Sequence, residues 1–512
     1  MSADARLATL TSWNADWSGL RVAVLGLSMT GFSVADTLTE LGSDVLVLSE
    51  SADEEYARLL PVIGAELALG PLDAVPQVLV DFGPDVVVAS PGFSPSHSVI
   101  RWAQESQIAI WGDIELAWRV RDKVLRPDGT PAEWMLITGT NGKTTTTQLT
   151  ASMLVEGGVR AAPCGNIGVP VLDAVRDPAG FDVLVVELSS HQLWYIGQSR
   201  MEGQLVPYAA VCLNLADDHL IWHGSVAAYR EAKSVVYRNT KVACVYNKAD
   251  EATRRMVEDA DVIEGARAIG FDLGTPGPSD LGVVDGLLVD RAFLEDRARS
   301  ALELTTVRDL QEVGLAARHI VQNILAASAL ARSVAVPPEA IHAALQKFAL
   351  DAHRIQIVAS HEGITWIDDS KATNPHAAAS SLRAYPGAVW VVGGDLKGVD
   401  IAELVADVGG TARAAVVIGV DREAVVAAFL RHAPAVPVFE VDAGETGQVM
   451  DRVVEIAAGI ARDGGTVLLA PAAASFDQFS GYADRGRRFA EAVREWIDRG
   501  SADDAGRSDN AH

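Results

Sequence analysis

The sequence predicts a three-domain α/β protein in which short apolar strands alternate with helices. Three observations favour this class. The 512 residues correspond to roughly three domains at about 150 residues each. The composition, 49% apolar and 21% charged, allows several hydrophobic cores. Apolar runs that end in glycine lead into helical periodicity, which is typical of doubly wound parallel sheets.

The first domain is predicted over residues 1–112 as a Rossmann-like unit. An apolar run at 21–26 ends in glycine and leads through a turn into a helical pattern at 32–41. Short apolar runs at 45–48 and 86–89 predict two further strands. The alternation is that of a nucleotide-binding sheet.

The second domain is predicted over 113–350, with a mostly parallel sheet like that of P-loop ATPases. A Gly/Pro-containing stretch at 265–309 is expected to be irregular or short-stranded. The predicted strands lie at 134–139, 183–186 and 210–213, and the predicted helices at 317–331 and 337–348.

The third domain is predicted over 351–500 as another Rossmann-like unit, and its longest helical pattern is at 485–499. The tail, 501–512, is polar and is predicted to be disordered. The predicted strands of this domain lie at 365–368, 388–392, 414–418 and 466–469.

Composition and charge exclude several classes of protein. The formal net charge is −26, which argues against nucleic acid or an anionic membrane as a partner. Cys164, Cys212 and Cys244 fit neither a disulfide framework nor a zinc site, so a reducing compartment is expected. No signal-peptide pattern is present, and no apolar run approaches the roughly 18 to 20 residues of a membrane span. We expect a cytoplasmic protein.

A glycine-rich loop opens the second domain. The sequence Thr-Gly-Thr-Asn-Gly-Lys-Thr-Thr at 138–145 follows a strand and precedes a helix, the context in which backbone amides cradle phosphates. Lys143 could reach the outer phosphates, and Thr144 could give its hydroxyl to magnesium. Ile137 stands where the usual motif has its first glycine, so this is a variant loop. ATP is the predicted ligand.

Two later strands end in candidate metal ligands. Glu187 follows the strand at 183–186, at the strand end where parallel sheets place their sites. His219 follows the next strand, but magnesium prefers oxygen ligands, so a hydrogen-bonded structural histidine is the alternative.

Together these motifs resemble the Mur ligases. The matching segments are Gly-Thr-Asn-Gly-Lys-Thr at 139–144, Gly-Asn-Ile-Gly at 165–168, Glu-Leu-Ser-Ser at 187–190, Asp-His at 218–219 and Asp-Ser-Lys-Ala-Thr-Asn at 369–374. Two more segments, Gly-Gly-Asp-Leu-Lys-Gly at 393–398 and Pro-Ala-Ala-Ala-Ser-Phe-Asp at 471–477, are similar to the branch of the family that adds D-glutamate.

The resemblance implies ATP-dependent ligation of D-glutamate to UDP-N-acetylmuramoyl-L-alanine in the cytoplasmic stage of peptidoglycan synthesis. The substrate carboxylate would be phosphorylated to an acyl phosphate, which the amine of D-glutamate then attacks. Two magnesium ions and Lys143 would offset the repulsion between the reacting anions. The protein is expected to be a monomer without nucleic-acid or membrane partners.

The resemblance also implies roles for individual residues. The catalytic set is Lys143, Glu187, His219 and Lys233, with Lys233 carbamylated, and the metal ligands are Thr144, Glu187, His219 and Lys233. ATP would contact Gly139, Thr140, Asn141, Gly142, Lys143, Thr144, Thr145, Asn323, Arg354 and Asp369. The UDP substrate would contact Met29, Thr30, Ser90, Gly92 and Asn166. D-Glutamate would contact His353, Lys371, Thr373, Lys397, Ser475, Phe476 and Tyr482.

The chain departs from the family pattern at several positions. Ile320 replaces the first asparagine of a His-Asn-x-x-Asn motif, and Tyr482 stands where a phenylalanine is expected. Glu50 stands where the family often has a small hydroxyl residue. Outside the family pattern, Ser28 stands at the middle glycine of a dinucleotide fingerprint, where its Cβ limits how closely a pyrophosphate can approach.

Other interpretations are a sister ligase, a nicotinamide-dependent oxidoreductase based on residues 26–31 and Glu50, and a non-catalytic nucleotide-binding scaffold. A lone glycine fingerprint is a weak signal. The family's diaminopimelate-adding branch would carry Asp-Asn-Pro-Arg, which this sequence lacks. Taken alone, Lys233 would be a solvated surface lysine, and each D-glutamate residue could equally lie on the surface.

Overall fold

The computed structural model describes residues 3–199, 201, 204–350, 352–442, 448–461 and 465–508. The chain forms two compact units. The described residues of Met1–Leu215 and Trp222–Phe348 form the first unit, and those of Ala216–Ile221 and Ala349–His512 form the second. The first unit contains two separate sheets and the second contains one, so the fold is the predicted three-domain α/β arrangement.

The N-terminal domain is a five-stranded parallel sheet flanked by helices, with strand order β3-β2-β1-β4-β5. Alternate strand residues pack into two apolar clusters, one on each face of the sheet. Its strands are β1 (Arg21–Leu27), β2 (Asp44–Ala52), β3 (Glu66–Leu69), β4 (Val86–Ala89) and β5 (Ala109–Gly112). Its helices are α1 (Ala3–Thr9), α2 (Met29–Glu40), α3 (Glu54–Ile63), α4 (Gln77–Phe82), α5 (Ser98–Glu105) and α6 (Asp113–Arg119).

The central domain has a nine-stranded sheet in the order β14-β13-β12-β11-β10-β9-β6-β8-β7, antiparallel only at β12-β13-β14. Its strands are β6 (Glu133–Thr138), β7 (Ala161–Gly165), β8 (Val183–Glu187), β9 (Ala209–Cys212), β10 (Ala243–Asn247), β11 (Arg267–Phe271), β12 (Asp280–Val284), β13 (Leu287–Asp290) and β14 (Leu302–Thr306). Its helices are α7 (Lys143–Glu156), α8 (Val171–Arg176), α9 (Ser190–Gln198), α10 (Leu220–His223), α11 (Val226–Ser234), α12 (Glu251–Glu258), α13 (Val307–Glu312), α14 (Arg318–Ser333) and α15 (Pro338–Lys347), and a 3-10 turn covers Val235–Tyr237.

The C-terminal domain has a six-stranded sheet in the order β15-β16-β20-β17-β18-β19, parallel except for β15. Its strands are β15 (Gln356–His361), β16 (Ile364–Asp368), β17 (Val389–Gly393), β18 (Ala414–Ile418), β19 (Val438–Glu440) and β20 (Gly465–Leu469). Its helices are α16 (Pro375–Ala384), α17 (Ala402–Val408), α18 (Arg422–His432), α19 (Val449–Ile460) and α20 (Tyr482–Ser508), and a 3-10 turn covers Gly409–Thr411.

The strands predicted from apolar runs are all present, and the stretch 265–309 contains short strands as expected. The last helix continues through Ser508 into the segment predicted to be disordered, whereas 509–512 lie outside the described residues. The three cysteines are free and buried. Among the described residues, no helix has the length and hydropathy needed to cross a membrane.

Candidate active site

The phosphate loop lies where the sequence predicts it, between β6 and the start of α7. Gly139 (φ +151°) and Gly142 (φ +84°) adopt backbone conformations that favour glycine. Asn214, just after β9, fixes the loop. Its carbonyl accepts the Thr140 amide at 2.9 Å, and its Oδ1 accepts the Asn141 amide at 2.8 Å. The loop therefore presents the positive end of α7, which suits an anion.

Two lysines converge on this loop. Nζ of Lys143 donates to the carbonyl oxygens of Gly139 at 2.9 Å and Thr140 at 3.0 Å. Nζ of Lys233, from α11, donates to the Gly139 carbonyl at 3.0 Å and to Oγ1 of Thr138 at 3.1 Å. Lys233 is only 2% exposed, so its interpretation as a solvated surface lysine is wrong.

Glu187 ends β8, in register with Ile137 of β6, and is buried. Its Oε1 accepts a hydrogen bond from Nδ2 of Asn166 at 3.2 Å, whereas its buried Oε2 has no hydrogen-bond partner among the described residues. A buried carboxylate oxygen without a donor is costly unless a cation neutralises it. Glu187 therefore fits a ligand of magnesium, which prefers oxygen.

Carboxylate, imidazole and thiolate side chains are common metal ligands in proteins. Within the described ranges, no three such residues cluster in a way that could hold a metal ion. Thr144, the predicted hydroxyl ligand, is buried at the start of α7, as is its neighbour Thr145. The metal role implied for Thr144 stays a prediction.

Asn323 packs directly on the phosphate loop. It is buried on α14, and its Oδ1 lies 2.4 Å from the position that a Cβ on Gly142 would take. Ile320, the departure from the family motif, is buried on the same helix. Its apolar side chain cannot make the hydrogen bonds available to the asparagine of the family motif.

In the N-terminal domain, the predicted UDP residues surround the turn between β1 and α2. Met29 and Thr30 open α2, and Met29 is 51% exposed. Oγ of Ser90 lies 3.2 Å from the position of a Cβ on Gly26, so Ser90 borders the turn. The exposed Gly92 accepts a hydrogen bond from the indole of Trp222 at 3.3 Å.

The side chain of Glu50 has a hydrogen-bond partner in the N-terminal domain. Its Oε1 accepts the amide of Leu72 at 3.2 Å. Burial lowers the pKa of the neighbouring His97, and the charge of Glu50 partly opposes this shift. Glu50, which departs from the family pattern, therefore interacts with Leu72 and His97 of its own domain.

His219 lies in the short segment Ala216–Ile221 of the second unit. Its φ is +52°, its amide donates to Oδ1 of Asp218 at 2.9 Å, and its Nε2 lies 3.5 Å from Oδ2 of the same residue. The metal role implied for His219 stays a prediction.

Asp369, predicted to contact ATP, lies close to His353, which is predicted to contact D-glutamate. Burial raises the pKa of Asp369 to about 7, although the Ser381 hydroxyl bond and the Arg354 charge both lower it. Oδ1 of Asp369 accepts the amide of Ile355 at 3.3 Å. His353 bonds through Nδ1 to Oδ2 of Asp368 at 2.6 Å.

Two of the predicted D-glutamate residues lie on the loop after β16. The Lys371 amide donates to the His353 carbonyl at 3.2 Å, and the Thr373 amide donates to the Lys371 carbonyl at 2.9 Å. Nζ of Lys371 lies 5.0 Å from the ring centre of Tyr482, so the tyrosine retains the cation contact available to an aromatic residue there.

The remaining D-glutamate residues follow β17 and β20. Lys397 is exposed at φ +52°, and its amide donates to Asp395 at 2.8 Å. Ser475 is buried, whereas the side chain of Phe476 is 74% exposed. The loops after β16, β17 and β20 all lie at the carboxyl edge of one parallel sheet, where ligands of such folds bind.

The sequence reasoning missed Arg485, which is fully buried at the start of α20. It donates to Ser370 at Oγ (2.9 Å) and at the carbonyl (2.8 Å), and to the Ala473 carbonyl at 3.1 Å. Arg485 thus ties together two loops that carry predicted D-glutamate residues. Its position in a polar helical stretch gave no sign of burial. The role of Asn214 was also not predicted, because its partner Asn141 on the phosphate loop lies 73 positions earlier in the sequence.

Three family models match successive parts of the chain. They are described as "Mur ligase MurD-like, N-terminal domain" for residues 20–112, "Mur ligase middle domain" for 137–331 and "Mur ligase, glutamate ligase domain" for 353–473. Their order matches the three sheets described above.

Individual proteins agree with the family models. The chain is 62% identical to a protein of Leifsonia xyli subsp. xyli, over 98% of each chain, and 48% identical to one of Streptomyces coelicolor, over 94% of this chain and 99% of the relative. Both are named UDP-N-acetylmuramoylalanine--D-glutamate ligase. The crystal structure of UDP-N-acetylmuramate-alanine ligase MurC from Thermotoga maritima shares the fold (TM-score 0.56, 19% identity, 93% of this chain and 99% of that one).

The fold and the phosphate loop define a nucleotide-dependent α/β enzyme. The chain belongs to the Mur ligase family. The resemblance inferred from the motifs is thereby confirmed, and the interpretation of residues 26–31 as a nicotinamide fingerprint is left without support.

Proposed function

We propose that this chain is an ATP-dependent ligase that adds D-glutamate to UDP-N-acetylmuramoyl-L-alanine through an acyl phosphate. The relatives that match this chain over almost their whole length are named for that activity. The structural observation that carries the proposal is the buried Oε2 of Glu187 beside the phosphate loop, since it calls for a cation at the point where a triphosphate would bind.

The residues of the loop prepare the phosphorylation step. The amides that open α7 would bind the phosphates, and Lys143 would exchange its bonds to the Gly139 and Thr140 carbonyls for phosphate oxygens. Asn166, which bonds to Glu187, would hold the reacting carboxylate of the substrate. These contacts bring two anions together and orient them for in-line attack.

We further propose two magnesium ions, one held by Thr144 and Glu187 and the other by His219 and a carbamylated Lys233. When bound, they would neutralise charge between the substrate carboxylate and the γ-phosphate. The burial of Lys233 against Thr138 and Gly139 supports the carbamate, because it places the end of this side chain at the phosphate loop.

Each domain would hold one reactant: 1–112 the UDP moiety, 113–350 ATP and 351–500 D-glutamate. Three D-glutamate loops at one sheet edge support the last assignment, because two carboxylates need several fixed cations and hydroxyls. Asn323, Arg354 and Asp369 would frame the nucleotide. We propose a monomer that works in the cytoplasm with these small molecules as its partners, a compartment that suits three buried free thiols.

One assay tests the activity. Phosphate release from ATP is measured with UDP-N-acetylmuramoyl-L-alanine and, in parallel reactions, D-glutamate, L-glutamate, diaminopimelate or L-lysine. We expect turnover with D-glutamate alone. Equal turnover with L-glutamate or a diamino acid would overturn the substrate assignment, and no phosphate release with any amine would overturn the ligase itself.

A further inference from the structure

Helix α8 of the central domain packs on helix α2 of the N-terminal domain through a shared apolar cluster, and Arg176 adds polar contacts to this packing. Nη2 of Arg176 lies 2.5 Å from Oδ2 of Asp36 and 3.1 Å from Oε2 of Glu40. Its Nη1 donates to Oγ1 of Thr37 at 2.7 Å. One guanidinium therefore binds three side chains on two consecutive turns of α2.

A second polar contact lies one turn away on α8. Oγ of Ser33 donates to Oδ1 of Asp173 at 2.5 Å. The side chain of Arg176 is only 16% exposed and that of Asp36 is 31% exposed, so solvent screens this pair less than an ordinary surface pair. We call this set the α2–α8 clamp: Ser33, Asp36, Thr37, Glu40, Asp173 and Arg176.

The two helices of the clamp lead to opposite ends of the proposed substrate site. Helix α2 begins with Met29 and Thr30, at the turn that would hold UDP. Helix α8 begins at Val171, directly after the loop that carries Asn166, which bonds to Glu187. The clamp therefore helps to set the distance between the turn before α2, which would bind UDP, and the loop before α8, which carries Asn166.

We propose that Arg176 is a positioning residue for the UDP-linked substrate, an inference that rests on the proposed function. A ligand that contacts two domains at once gains affinity only when those domains are already held at the right separation. The proposed function assigns no reactant contact to Arg176, whose bonds go to side chains of α2. It acts by preorganising the two halves of the site, so its loss weakens binding of the whole substrate but not of a fragment that contacts one domain.

The test compares binding of the whole substrate with binding of a fragment. Arg176→Ala should raise the KM for UDP-N-acetylmuramoyl-L-alanine about tenfold, while the KM values for ATP and D-glutamate stay within about twofold. Titration calorimetry with UDP alone should give the same Kd for Arg176→Ala and wild type, because UDP contacts only the N-terminal domain. A role limited to local stability would instead weaken UDP and the whole substrate equally.

Arg160→Ala is the matched control, since Arg160 forms a 2.8 Å ion pair with Asp182 inside the central domain. It should leave all three KM values unchanged. Exchanging the charges, Arg176→Asp with Asp36→Arg, should recover part of the lost affinity. Should Arg176→Ala not fold, Arg176→Lys retains one charge contact but not the bonds to Thr37 and Glu40, and should show a smaller rise in the same KM.

The outcomes separate the two proposals. If the wild-type enzyme releases no phosphate with D-glutamate, the proposed function fails, and the clamp inference fails with it. If the wild type is active but Arg176→Ala and Arg176→Lys retain the wild-type KM for the UDP substrate, only the clamp inference is overturned. It is also overturned if UDP alone loses affinity as much as the whole substrate does.

Discussion

The side chain of Asn323 fills the space beside Gly142, so that a Cβ there would lie 2.4 Å from its Oδ1. Gly142 also has a φ of +84°, which costs a residue with a Cβ about 1 to 2 kcal/mol. We expect Gly142→Ala to displace Asn323, distort the amides that open α7 and reduce kcat/KM for ATP at least a hundredfold. Steady-state kinetics with varied ATP measures this effect.

Gly158 provides the control for that prediction. Its φ is +82°, but apart from its chain neighbours no described residue has a heavy atom within 4 Å of the position that its Cβ would take. Gly158→Ala should therefore cause a similar strain of about 1 to 2 kcal/mol in the free energy of unfolding and leave the KM for ATP unchanged. Equal kinetic losses in the two variants would mean that strain, rather than the contact with Asn323, disables the loop.

Oε2 of Glu187 has no hydrogen-bond partner in the described part of the chain, which predicts opposite effects of Glu187→Gln on activity and on stability. The amide removes the ligand charge, so activity should fall at least a hundredfold. In the absence of magnesium the variant should unfold at the same or a higher temperature, because it no longer buries an unneutralised carboxylate. Thermal melts with and without Mg²⁺ and ATP measure this: the ligands should stabilise wild type but not the variant. Equal stabilisation of both would place the metal elsewhere.

Lys233→Ala should lose nearly all activity, and short-chain carboxylic acids should partly restore it by supplying the oxygen ligand that the carbamate gives. The cavity left by this buried side chain, next to Thr138 and Gly139, is where such an acid would bind. Activity is measured across a series of formate and acetate concentrations. Lys241→Ala, which removes an exposed lysine paired with Glu133, is the control and should respond to neither acid. Full activity of unrescued Lys233→Ala would exclude the carbamate.

The pKa of Asp369, which burial raises from 3.8 to about 7, predicts a pH dependence of stability. The folded state holds the proton more tightly than the unfolded state. The resulting stabilisation is therefore complete below about pH 4 and is lost as pH rises towards 7. Asp369→Asn should remove this slope, so the stability of wild type relative to the variant should decline between pH 4.5 and 8 in urea titrations.

Asp182 provides a control, because its contribution to stability should depend on pH in the opposite direction. Its hydrogen bond to Arg160 lowers its pKa, so its contribution is present at neutral pH and is lost on acidification. Asp182→Asn should thus weaken the protein more at pH 7 than at pH 3. If Asp369→Asn showed that same trend, Asp369 would be ionised and paired in the folded state.

The parallel strands could be predicted from the sequence because buried strands are continuous apolar runs, as at β4 and β18. The strands β3, β5, β7, β10, β15 and β19 were not predicted. All of these except β10 lie at sheet edges and are short or partly exposed, so their composition resembles that of loops, whereas β10 is a buried strand inside the central sheet.

The phosphate loop was predictable because Gly139 to Lys143 are contiguous in sequence. The burial of Lys233 was not, since it depends on how α11 packs against a loop about ninety positions earlier. The Asn214 contacts likewise join neighbouring strands of the sheet. Such long-range partners have no local sequence signal.

Arg485, whose burial the sequence did not indicate, joins two loops of the predicted D-glutamate site. Its fully buried guanidinium donates to Ser370 and Ala473, and burial lowers its pKa to about 10. The planar guanidinium donates in several directions at once, which the single ammonium of a lysine cannot reproduce. Arg485→Lys should therefore lower the free energy of unfolding by about 2 to 4 kcal/mol. The loops after β16 and β20 would then lose their common anchor, and the KM for D-glutamate should rise severalfold while that for the UDP substrate should not.

Arg488→Lys, one turn along α20 and bonded to Asp484, is the matched control. A uniform fall in kcat with unchanged KM values in Arg485→Lys would show that Arg485 supports folding alone.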